Sequence, residues 1–166
     1  MSGVVVGVDG SAASERALAW AVEEAALRES TLAVVHSYEV PLVYPMWATP
    51  PPDGPMWGVP PPDEPLRDRL RQAAEKLAAD MLSKVLASRP AAAGHVRTTS
   101  LAAEGPPAGA LIEDAVGRSA DLLVVGSHGA GALSRLMLGS VSNKVLHHAP
   151  CPVVVIPAGP DQALDG

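Results

Sequence analysis

Four small residues in the last third of the chain have the types and spacing that suit phosphate binding. They follow the apolar run at 122–125 and are Gly126, Gly129, Gly139 and Ser140. A strand that ends in a glycine-rich turn lets the backbone approach a phosphate where a Cβ would block it, and the next helix points free N–H groups at the anion. Ser140 is predicted as a good N-cap residue, whose hydroxyl could satisfy donors at the helix start in the empty site or bind a phosphate oxygen in the filled one. The bridging residues 132–138 are predicted to form a helical turn with Arg135 facing outward.

Two common nucleotide-binding motifs do not match. No GxxxxGK[ST] occurs, which excludes a P-loop NTPase. Gly129-Ala-Gly131 begins a GxGxxG, but the last position is Ser134 and no suitable acidic residue follows about twenty residues on, so a dinucleotide fold is disfavoured. Isolated glycines often serve only in turns and caps, and that role remains the alternative. The placement of four small residues after a strand favours binding.

A second loop with polar residues follows the first apolar run. In Gly7-Val8-Asp9-Gly10-Ser11, Asp9 comes at the end of a predicted strand, and the glycines permit a tight turn into a helix. Asp9 could accept a ribose hydroxyl or an adenine amino hydrogen, or hold a Mg²⁺ that bridges phosphates. The alternative is that Asp9 only caps the first helix. Because ligands of open α/β sheets bind outside the carboxyl ends of the strands, both loops are expected at one edge.

Length and composition limit the fold and the partners. The 166 residues suffice for one domain, and a chain that is 48% hydrophobic and 3% aromatic, with no Phe, must build its core from small aliphatic side chains. Such cores suit helices packed on a parallel sheet. A net charge of -6 without a Lys/Arg-rich run argues against nucleic acid and anionic membranes as partners. With neither a basic region nor a long apolar run at its start, the chain is expected to be soluble and cytoplasmic.

The cysteine and the paired histidines predict no chemistry of their own. Cys151 is the single cysteine, which excludes an intrachain disulfide, and its place between two prolines before an apolar strand favours a buried, inert thiol over a nucleophile. His147 and His148 are adjacent on a predicted helix, where side chains diverge by about 100°. Since no Cys, His or Asp lies at ligand spacing from them, no metal site made by the protein alone is predicted.

Apolar runs alternate with amphipathic helical segments, as in βα units that build a parallel sheet. The predicted strands are Val4–Val8, Leu32–Ser37, Val96–Leu101, Leu122–Val125 and Val153–Ile156. The first predicted helix is capped by Ser11 or Ser14, the second follows an N-cap at Asp63 and reaches about Leu86, and the others cover Ala108–Ser119 and Ser140–His148. In the second helix the predicted apolar stripe is Leu66, Leu70, Ala73, Ala74, Leu77, Met81 and Val85. Its charged face, predicted to be solvated, is Arg67, Asp68, Arg71, Glu75 and Lys84. Right-handed crossovers favour a doubly wound, five-stranded sheet, whose strand order periodicity does not give.

Residues 39–65 interrupt this pattern. They hold ten of the seventeen prolines together with Trp47 and Trp57, a composition that predicts a long loop with polyproline stretches. This insert leaves the carboxyl end of a strand, as the glycine loop does. Two interpretations are open: a mobile loop of minor function, or an aromatic lid or partner-docking segment.

The chain resembles a single universal stress protein domain of the ATP-binding subgroup. The matching segments are VGVDGS at 6–11, VVH at 34–36, EGP at 104–106, ADLLVVGSHG at 120–129, LGSVS at 138–142 and HAPCPVVV at 148–155. The similarity covers nearly the whole chain except the proline-rich insert and the tail after Pro157. Its most specific element, G-x2-G-x9-G-[ST], is complete here.

This resemblance implies an α/β fold with an open, doubly wound, five-stranded parallel sheet of order 3-2-1-4-5 and helices on both faces, like that of the adenine-nucleotide α-hydrolases. It implies one domain over 1–158, with the insert at about 39–65 and a flexible tail at 159–166. It also implies a homodimer in which the last strands, Val153–Ile156, pair across a two-fold axis. An unpaired apolar edge strand gives that dimer a physical reason, because something must cover it.

By the same resemblance the ligand is ATP, whose Mg²⁺ would arrive with the nucleotide and lie near Asp9. The motif would hold the phosphates and ribose, Asp9 would contact the nucleoside, and the backbone at Gly7, Val8 and Ser37 would line the adenine pocket. The residues expected to bind the nucleotide are Gly7, Val8, Asp9, Ser37, Gly126, Ser127, His128, Gly129, Arg135, Gly139, Ser140, Val141 and Ser142.

The expected function is that of an ATP-binding regulatory or stress-response module with little or no catalysis. A hydrolase needs a positioned base and stabilisation of the leaving group, and the nearby candidates, Asp9 and Arg135, do not supply a convincing base. The alternatives are a slow ATPase and a binding module for AMP or cyclic AMP. A nucleotidyl transferase of the related fold is disfavoured, because Asp9-Gly-Ser11 does not match the SGGxDS-type loop of those enzymes.

Overall fold

The computed structural model describes residues 3–41, 64–128 and 138–157. Its elements in chain order are β1 (Gly3–Gly7), α1 (Ala12–Leu27), β2 (Thr31–Tyr38), α2 (Glu64–Ser88), α3 (Pro90–Ala93), β3 (Arg97–Glu104), α4 (Pro107–Gly117), β4 (Leu122–Gly126), α5 (Ser140–His148) and β5 (Val153–Ile156). The predictions for Asp63, Gly129, Arg135, most of the insert and the tail lie outside the described residues.

The five strands form one parallel sheet in the order β3-β2-β1-β4-β5. The predicted α/β class and the strand order 3-2-1-4-5 are therefore confirmed. The central strands β1 and β4 are short and almost entirely apolar, as expected of strands that are buried on both faces.

Alternate residues of the central strands feed two hydrophobic clusters, one on each face of the sheet. Val4 and Val6 pack with α1 and α2 on one face. Val5 packs with α4 and α5 on the other. The helix that follows β1 and the helix that follows β4 thus lie on opposite faces of the sheet. The chain therefore leaves these two neighbouring strands towards opposite faces.

Helix α1 begins where a serine caps it. Ser11 has extended backbone angles, and its Oγ accepts a hydrogen bond of 3.1 Å from the Ser14 N–H. The Ser14 hydroxyl in turn donates to the Ser11 carbonyl at 2.9 Å. Ser11 is thus the N-cap among the two candidates, and this reciprocal pair fixes the start of α1 beside the end of β1.

Three elements of the structure differ from the predictions. The apolar stripe of α2 is wrong at Ala73, which is exposed, while Ala78 and Leu82 are buried with Ala74 and Val85. Ala78, Leu82 and Val85 belong to the hydrophobic cluster on this face of the sheet, so the buried stripe runs through them and not through Ala73. Short helix α3 was missed. Strand β3 extends to Glu104, past the predicted end at Leu101, because it is a half-exposed edge strand whose mixed composition hides the alternation.

The charged face of α2 is more than a third exposed at each predicted residue. Arg71 pairs with Asp68 and Glu75 along the helix, and Lys84 reaches Glu15 on α1 at 2.7 Å. Exposed pairs of this kind contribute little to stability. Across the described ranges no helix is both long and apolar enough to cross a bilayer.

The Cys151 thiol is only partly accessible. Burial raises its pKa, and the negative charge of Asp121 raises the pKa further. A raised pKa lowers the fraction of thiolate, which is the reactive form, at neutral pH. The structure thus agrees with an inert thiol beside β5.

Candidate functional site

A cavity of about 250 Å³ opens at the carboxyl ends of β1, β2 and β4. It lies where the chain leaves β1 for α1 on one face and β4 for α5 on the other, which is the topological switch point of this sheet. The residues that line it are Gly7, Val8, Asp9, Ser14, Val35, His36, Ser37, Pro107, Leu111, Val125, Gly126, His128, Gly139, Ser140, Val141 and Ser142.

Ten residues expected to bind nucleotide lie on this wall: Gly7, Val8, Asp9, Ser37, Gly126, His128, Gly139, Ser140, Val141 and Ser142. Ser127 is buried behind the wall, with a carbonyl that organises the neighbouring turn. Gly129 and Arg135 lie outside the described residues. Two loops that are far apart in sequence thus meet at one cavity.

The first turn of α5 lies at the cavity with backbone N–H groups that the helix itself does not use. The first intrahelical bond runs from Asn143 N–H to Gly139 O at 3.0 Å. The N–H groups of Ser140, Val141 and Ser142 precede it and have no acceptor within the helix. All three residues line the cavity, and the positive end of the helix dipole lies with them. This combination suits an anionic ligand.

The N-cap of α5 is Gly139, so the prediction that Ser140 caps the helix is wrong. Gly139 has the extended angles of a cap residue, with φ -63° and ψ 161°, and no side chain caps the helix. Ser140 is already the first helical residue. The cap position favours a glycine because a Cβ there would make tight contacts, 3.3 Å from the Ser127 carbonyl oxygen and 3.4 Å from the His128 Cα.

The Ser127 carbonyl fastens the start of α5 to the end of β4. It accepts a hydrogen bond of 2.8 Å from the Gly139 N–H and another of 3.1 Å from the Ser142 hydroxyl. The Ser142 side chain is 2% exposed, and its hydroxyl is also 3.0 Å from the Gly139 carbonyl oxygen. The two halves of the glycine motif are therefore joined by direct contacts between Ser127, Gly139 and Ser142.

Asp9 stands across the cavity in a tight turn. Its Oδ1 accepts hydrogen bonds from both the backbone N–H of Ser11, at 3.0 Å, and the Ser11 hydroxyl. Gly10 has a φ of +83°, a conformation that glycine adopts without strain. Since Ser11 is the N-cap, the interpretation of Asp9 as a mere helix cap is wrong. The carboxylate is instead held in the turn, on an exposed residue at the cavity wall.

Six wall residues were not predicted, of which two, Ser14 and His36, are polar and four are apolar. Apolar walls come from Val35, Val125, Pro107 and Leu111, whose side chains could not be told from core residues in the sequence. His36 lies at the end of β2, next to the predicted Ser37. The parallel pairing of β1 with β2 brings His36 beside the Asp9 loop. The strand order alone would have suggested that the two are neighbours.

The cavity combines three surfaces of different chemistry: apolar side chains, a carboxylate at Asp9, and the N-terminal donors of α5. His128 adds a ring whose Nδ1 is 2.9 Å from the Ser127 Oγ, while its Nε2 is buried and finds no hydrogen-bond partner in the described part of the chain. In those same residues no three His, Cys, Asp or Glu side chains come together as metal ligands. The arrangement suits a ligand with a flat apolar part, hydroxyls and an anionic group.

Sequence comparison finds similar proteins over the whole of this fold. The model of the universal stress protein family matches residues 1–157. The universal stress protein in QAH/OAS sulfhydrylase 3'region of Thermus aquaticus is 38% identical over 153 residues, which are 92% of this chain and 96% of that protein. Universal stress protein Rv2005c of Mycobacterium tuberculosis is 37% identical over 93% of this chain, which spans 47% of that longer protein.

Solved structures with this fold include nucleotide complexes. A universal stress protein in complex with cAMP aligns with a TM-score of 0.61 and 26% identity, over 95% of this chain and 98% of that one. The universal stress protein of Archaeoglobus fulgidus in complex with dAMP gives 0.56 and 24%, over 94% and 98%. A family protein of Arabidopsis thaliana with AMP bound gives 0.55 and 16%, over 98% and 95%. At these identities the last two establish likeness of fold alone.

Proposed function

The chain belongs to the universal stress protein family, and we propose that its cavity binds an adenine nucleotide, with ATP as the regulatory ligand and little or no catalysis. The observation that carries this proposal is the pairing of an anion site at the start of α5 with the Asp9 carboxylate across one cavity. An anion site alone would suit sulfate or phosphate. A carboxylate facing it adds an acceptor for ligand hydroxyl or amino hydrogens, which a nucleoside phosphate carries.

In this proposal the phosphates, the ribose and the base of the nucleotide each contact one of the three surfaces of the cavity. The phosphates accept from the N–H groups of Ser140, Val141 and Ser142. Asp9 accepts from the ribose hydroxyls or the adenine amino group. The base packs against the apolar wall, to which Val35 and Leu111 contribute. Structures of similar fold that hold cAMP, dAMP and AMP support this class of ligand.

ATP is proposed over the monophosphates because the glycine motif is complete, as in the ATP-binding members that the chain resembles. Its Mg²⁺ would come with the triphosphate, since within the described ranges no cluster of ligand side chains could hold the ion independently. Among the described residues that line the cavity, Asp9 is the carboxylate that could hold such an ion. A magnesium ion there would neutralise phosphate charge and orient the triphosphate.

The same geometry offers little for hydrolysis. Asp9 is the wall carboxylate, and its Oδ1 already accepts two hydrogen bonds from Ser11, which hold this oxygen in the turn and not on an attacking water. We therefore propose binding without committed turnover. A slow ATPase is the second candidate, which release of phosphate over many turnovers would distinguish from binding.

Exchanging Asp9 for asparagine should weaken nucleotide binding about tenfold. The change removes a charged acceptor from the cavity, and a hydrogen bond to a charged group contributes about 1.5 kcal/mol or more. Asparagine keeps an oxygen that Ser11 can donate to, so the turn itself is preserved. The measurement is calorimetric titration of nucleotide-free protein with ATP, AMP and cAMP, in parallel for wild type and variant.

Asp80→Asn is the matched control, because it makes the same chemical change on an exposed residue of α2 that pairs with Lys76. It should bind as wild type does. If a folded, nucleotide-free wild type binds none of the three nucleotides, the proposed function is wrong. If Asp9→Asn binds as well as Asp80→Asn, the nucleotide does not use the carboxylate.

We also propose a homodimer through β5. The strand pairs with β4 on one side, and Val153–Ile156 are only partly buried. The carbonyls of Pro152 and Ile156 both point to β4, accepting from Leu123 and Ser127 respectively. By the two-residue alternation of a strand, the N–H of Val155 therefore points away from β4, towards the edge that a second copy would pair with.

Val155→Pro tests this dimer directly. Proline removes an outward donor while leaving the ladder to β4, and edge strands tolerate proline. We expect wild type to sediment as a dimer and the variant as a monomer with a cooperative melting transition. A monomeric wild type at high concentration, or a dimeric variant, would show that β5 does not form the interface.

A further inference from the structure

The peptide unit between Val8 and Asp9 is held on both sides by side chains from other elements. Its carbonyl oxygen lies 2.7 Å from Nδ1 of His36, at the end of β2. Its N–H donates to the Oγ of Ser14, in the first turn of α1, at 3.2 Å. Both His36 and Ser14 also line the cavity.

The chemistry of these contacts fixes their direction. A carbonyl oxygen only accepts, so Nδ1 of His36 must carry the hydrogen, and in the neutral ring Nε2 is the unprotonated nitrogen. The Ser14 hydroxyl gives its own hydrogen to the Ser11 carbonyl, so its oxygen lone pairs are left to accept from Asp9 N–H. Neither contact can reverse its donor and acceptor.

The position of the peptide decides where the Asp9 side chain begins. A peptide unit is planar, so holding its C=O and N–H fixes the place of the Asp9 Cα, from which the side chain leaves. The loop on the other side is fixed by Ser11, which donates to the carboxylate. One residue earlier, the backbone ladder itself ends with Val8 N–H donating to the Val35 carbonyl at 2.9 Å. His36 therefore restrains the first carbonyl beyond that bond.

We propose that His36 and Ser14 are positioning residues, which clamp the Val8–Asp9 peptide and so hold the Asp9 carboxylate in place for the nucleotide. This inference rests on the proposed function. A carboxylate that is already in place does not have to be ordered when the ligand arrives, and such preorganisation increases affinity. His36 acts through Asp9, with no required contact to the ligand.

Two substitutions of His36 separate the hydrogen bond from the bulk of the ring. His36→Asn places an amide N–H close to where Nδ1 was, and His36→Leu fills much of the space without a donor. We expect His36→Leu to bind ATP about tenfold more weakly than wild type, and His36→Asn to bind within about threefold of it. His95→Leu is the control, since His95 is exposed and precedes β3, at the amino ends of the strands and away from the cavity.

A double-mutant cycle with Asp9→Asn tests whether the effect passes through Asp9. If it does, His36→Leu costs little more once the carboxylate is gone, and the two losses are not additive. Equal affinity of His36→Leu and wild type would overturn the clamp. So would His36→Asn binding as weakly as His36→Leu, or fully additive losses in the cycle.

The clamp is also measurable without any ligand. Long-range ¹H–¹⁵N spectra of the wild-type chain distinguish the two neutral tautomers, and we expect His36 to carry its hydrogen on Nδ1. The other tautomer would overturn the inference even if no variant were soluble. If wild type bound no nucleotide, the proposed function would fail, and this spectrum would still decide whether the clamp exists.

Discussion

Exchanging Gly139 for alanine should weaken ATP binding about 100-fold in a chain that remains folded. The added Cβ would lie 3.3 Å from the Ser127 carbonyl oxygen and 3.4 Å from the His128 Cα, both of which are backbone atoms. Neither neighbour can rotate away as a side chain would, so the first turn of α5 must shift by a few tenths of an ångström. The backbone angles of Gly139 suit alanine, and the strain is therefore steric rather than conformational.

That shift acts on the part of the site that binds charge. The N–H groups of Ser140, Val141 and Ser142 would no longer converge on the phosphates. Losing two hydrogen bonds to a charged group costs about 3 kcal/mol, which corresponds to roughly 100-fold in affinity. The measurement is calorimetric titration with ATP, on protein whose melting transition is recorded first.

Gly117→Ala is the matched control for this variant. Gly117 is the last residue of α4, and a Cβ there meets nothing within 4 Å. It should leave the affinity for ATP unchanged and stabilise the chain slightly, because alanine is the better helix former. Equal affinities of Gly139→Ala and Gly117→Ala would mean that the start of α5 does not hold the phosphates.

At the start of α5, part of the site could be predicted from the sequence and part could not. The spacing of glycines after an apolar run predicted that β4 and a helix start would form one wall of a site, and Gly126, Gly139 and Ser140 do line the cavity. The choice of Ser140 as N-cap was wrong, because capping preferences favour serine when no neighbours are considered. Here Ser127 approaches so closely that a Cβ at the cap would force a small shift, and only contacts between separate segments reveal that.

The wall residues that α4 contributes could not be predicted from the sequence. Leu111 belongs to a buried helix face, and nothing in its type or spacing distinguishes it from Ala115 one turn later, which is part of the core alone. Whether such a residue reaches the cavity depends on how far α4 extends beyond the strands. His36 is the intermediate case. Its position at a strand end was readable, but its bond to Val8 depends on the register between β1 and β2.

The described site is therefore built largely before a ligand arrives. The Ser127 carbonyl fixes α5, the Ser11 cap fixes α1, and His36 and Ser14 fix the peptide that carries Asp9. These bonds lie in the segments that follow β1 and β4. Substitutions at these fixed positions should accordingly affect the stability of the fold as well as the affinity for the ligand. The clearest example is Gly126, the glycine that ends β4.

Exchanging Gly126 for alanine should be the most destabilising of these changes. A Cβ at Gly126 would lie 3.0 Å from the carbonyl carbon of Ala13, and 3.2 Å from both the Cβ and the carbonyl oxygen of the same residue. Ala13 is 4% exposed in the first turn of α1, so the added atom would meet a helix backbone packed on the sheet. The helix would have to move as a unit, because no side-chain rotation relieves the overlap.

Overpacking of this kind costs about 2 kcal/mol. For a chain of this length that free energy lowers the melting temperature by roughly 4–8 °C. Gly7→Ala is the informative comparison, since its Cβ would come even closer to a neighbour, 2.7 Å from Cδ1 of Leu111. That neighbour is the end of a flexible side chain beside a cavity, so it can rotate and the loss of stability should be smaller.

Thermal unfolding of wild type, Gly126→Ala, Gly7→Ala and Gly94→Ala would decide the matter. Gly94 has nothing within 4 Å of an added Cβ and should melt with wild type. If Gly7→Ala were less stable than Gly126→Ala, contact distance alone would govern the loss of stability. If Gly126→Ala is the least stable, as we expect, the rigidity of the neighbour governs it, and the end of β4 is glycine because α1 must lie against it to bring Ser14 and the Asp9 turn to the cavity.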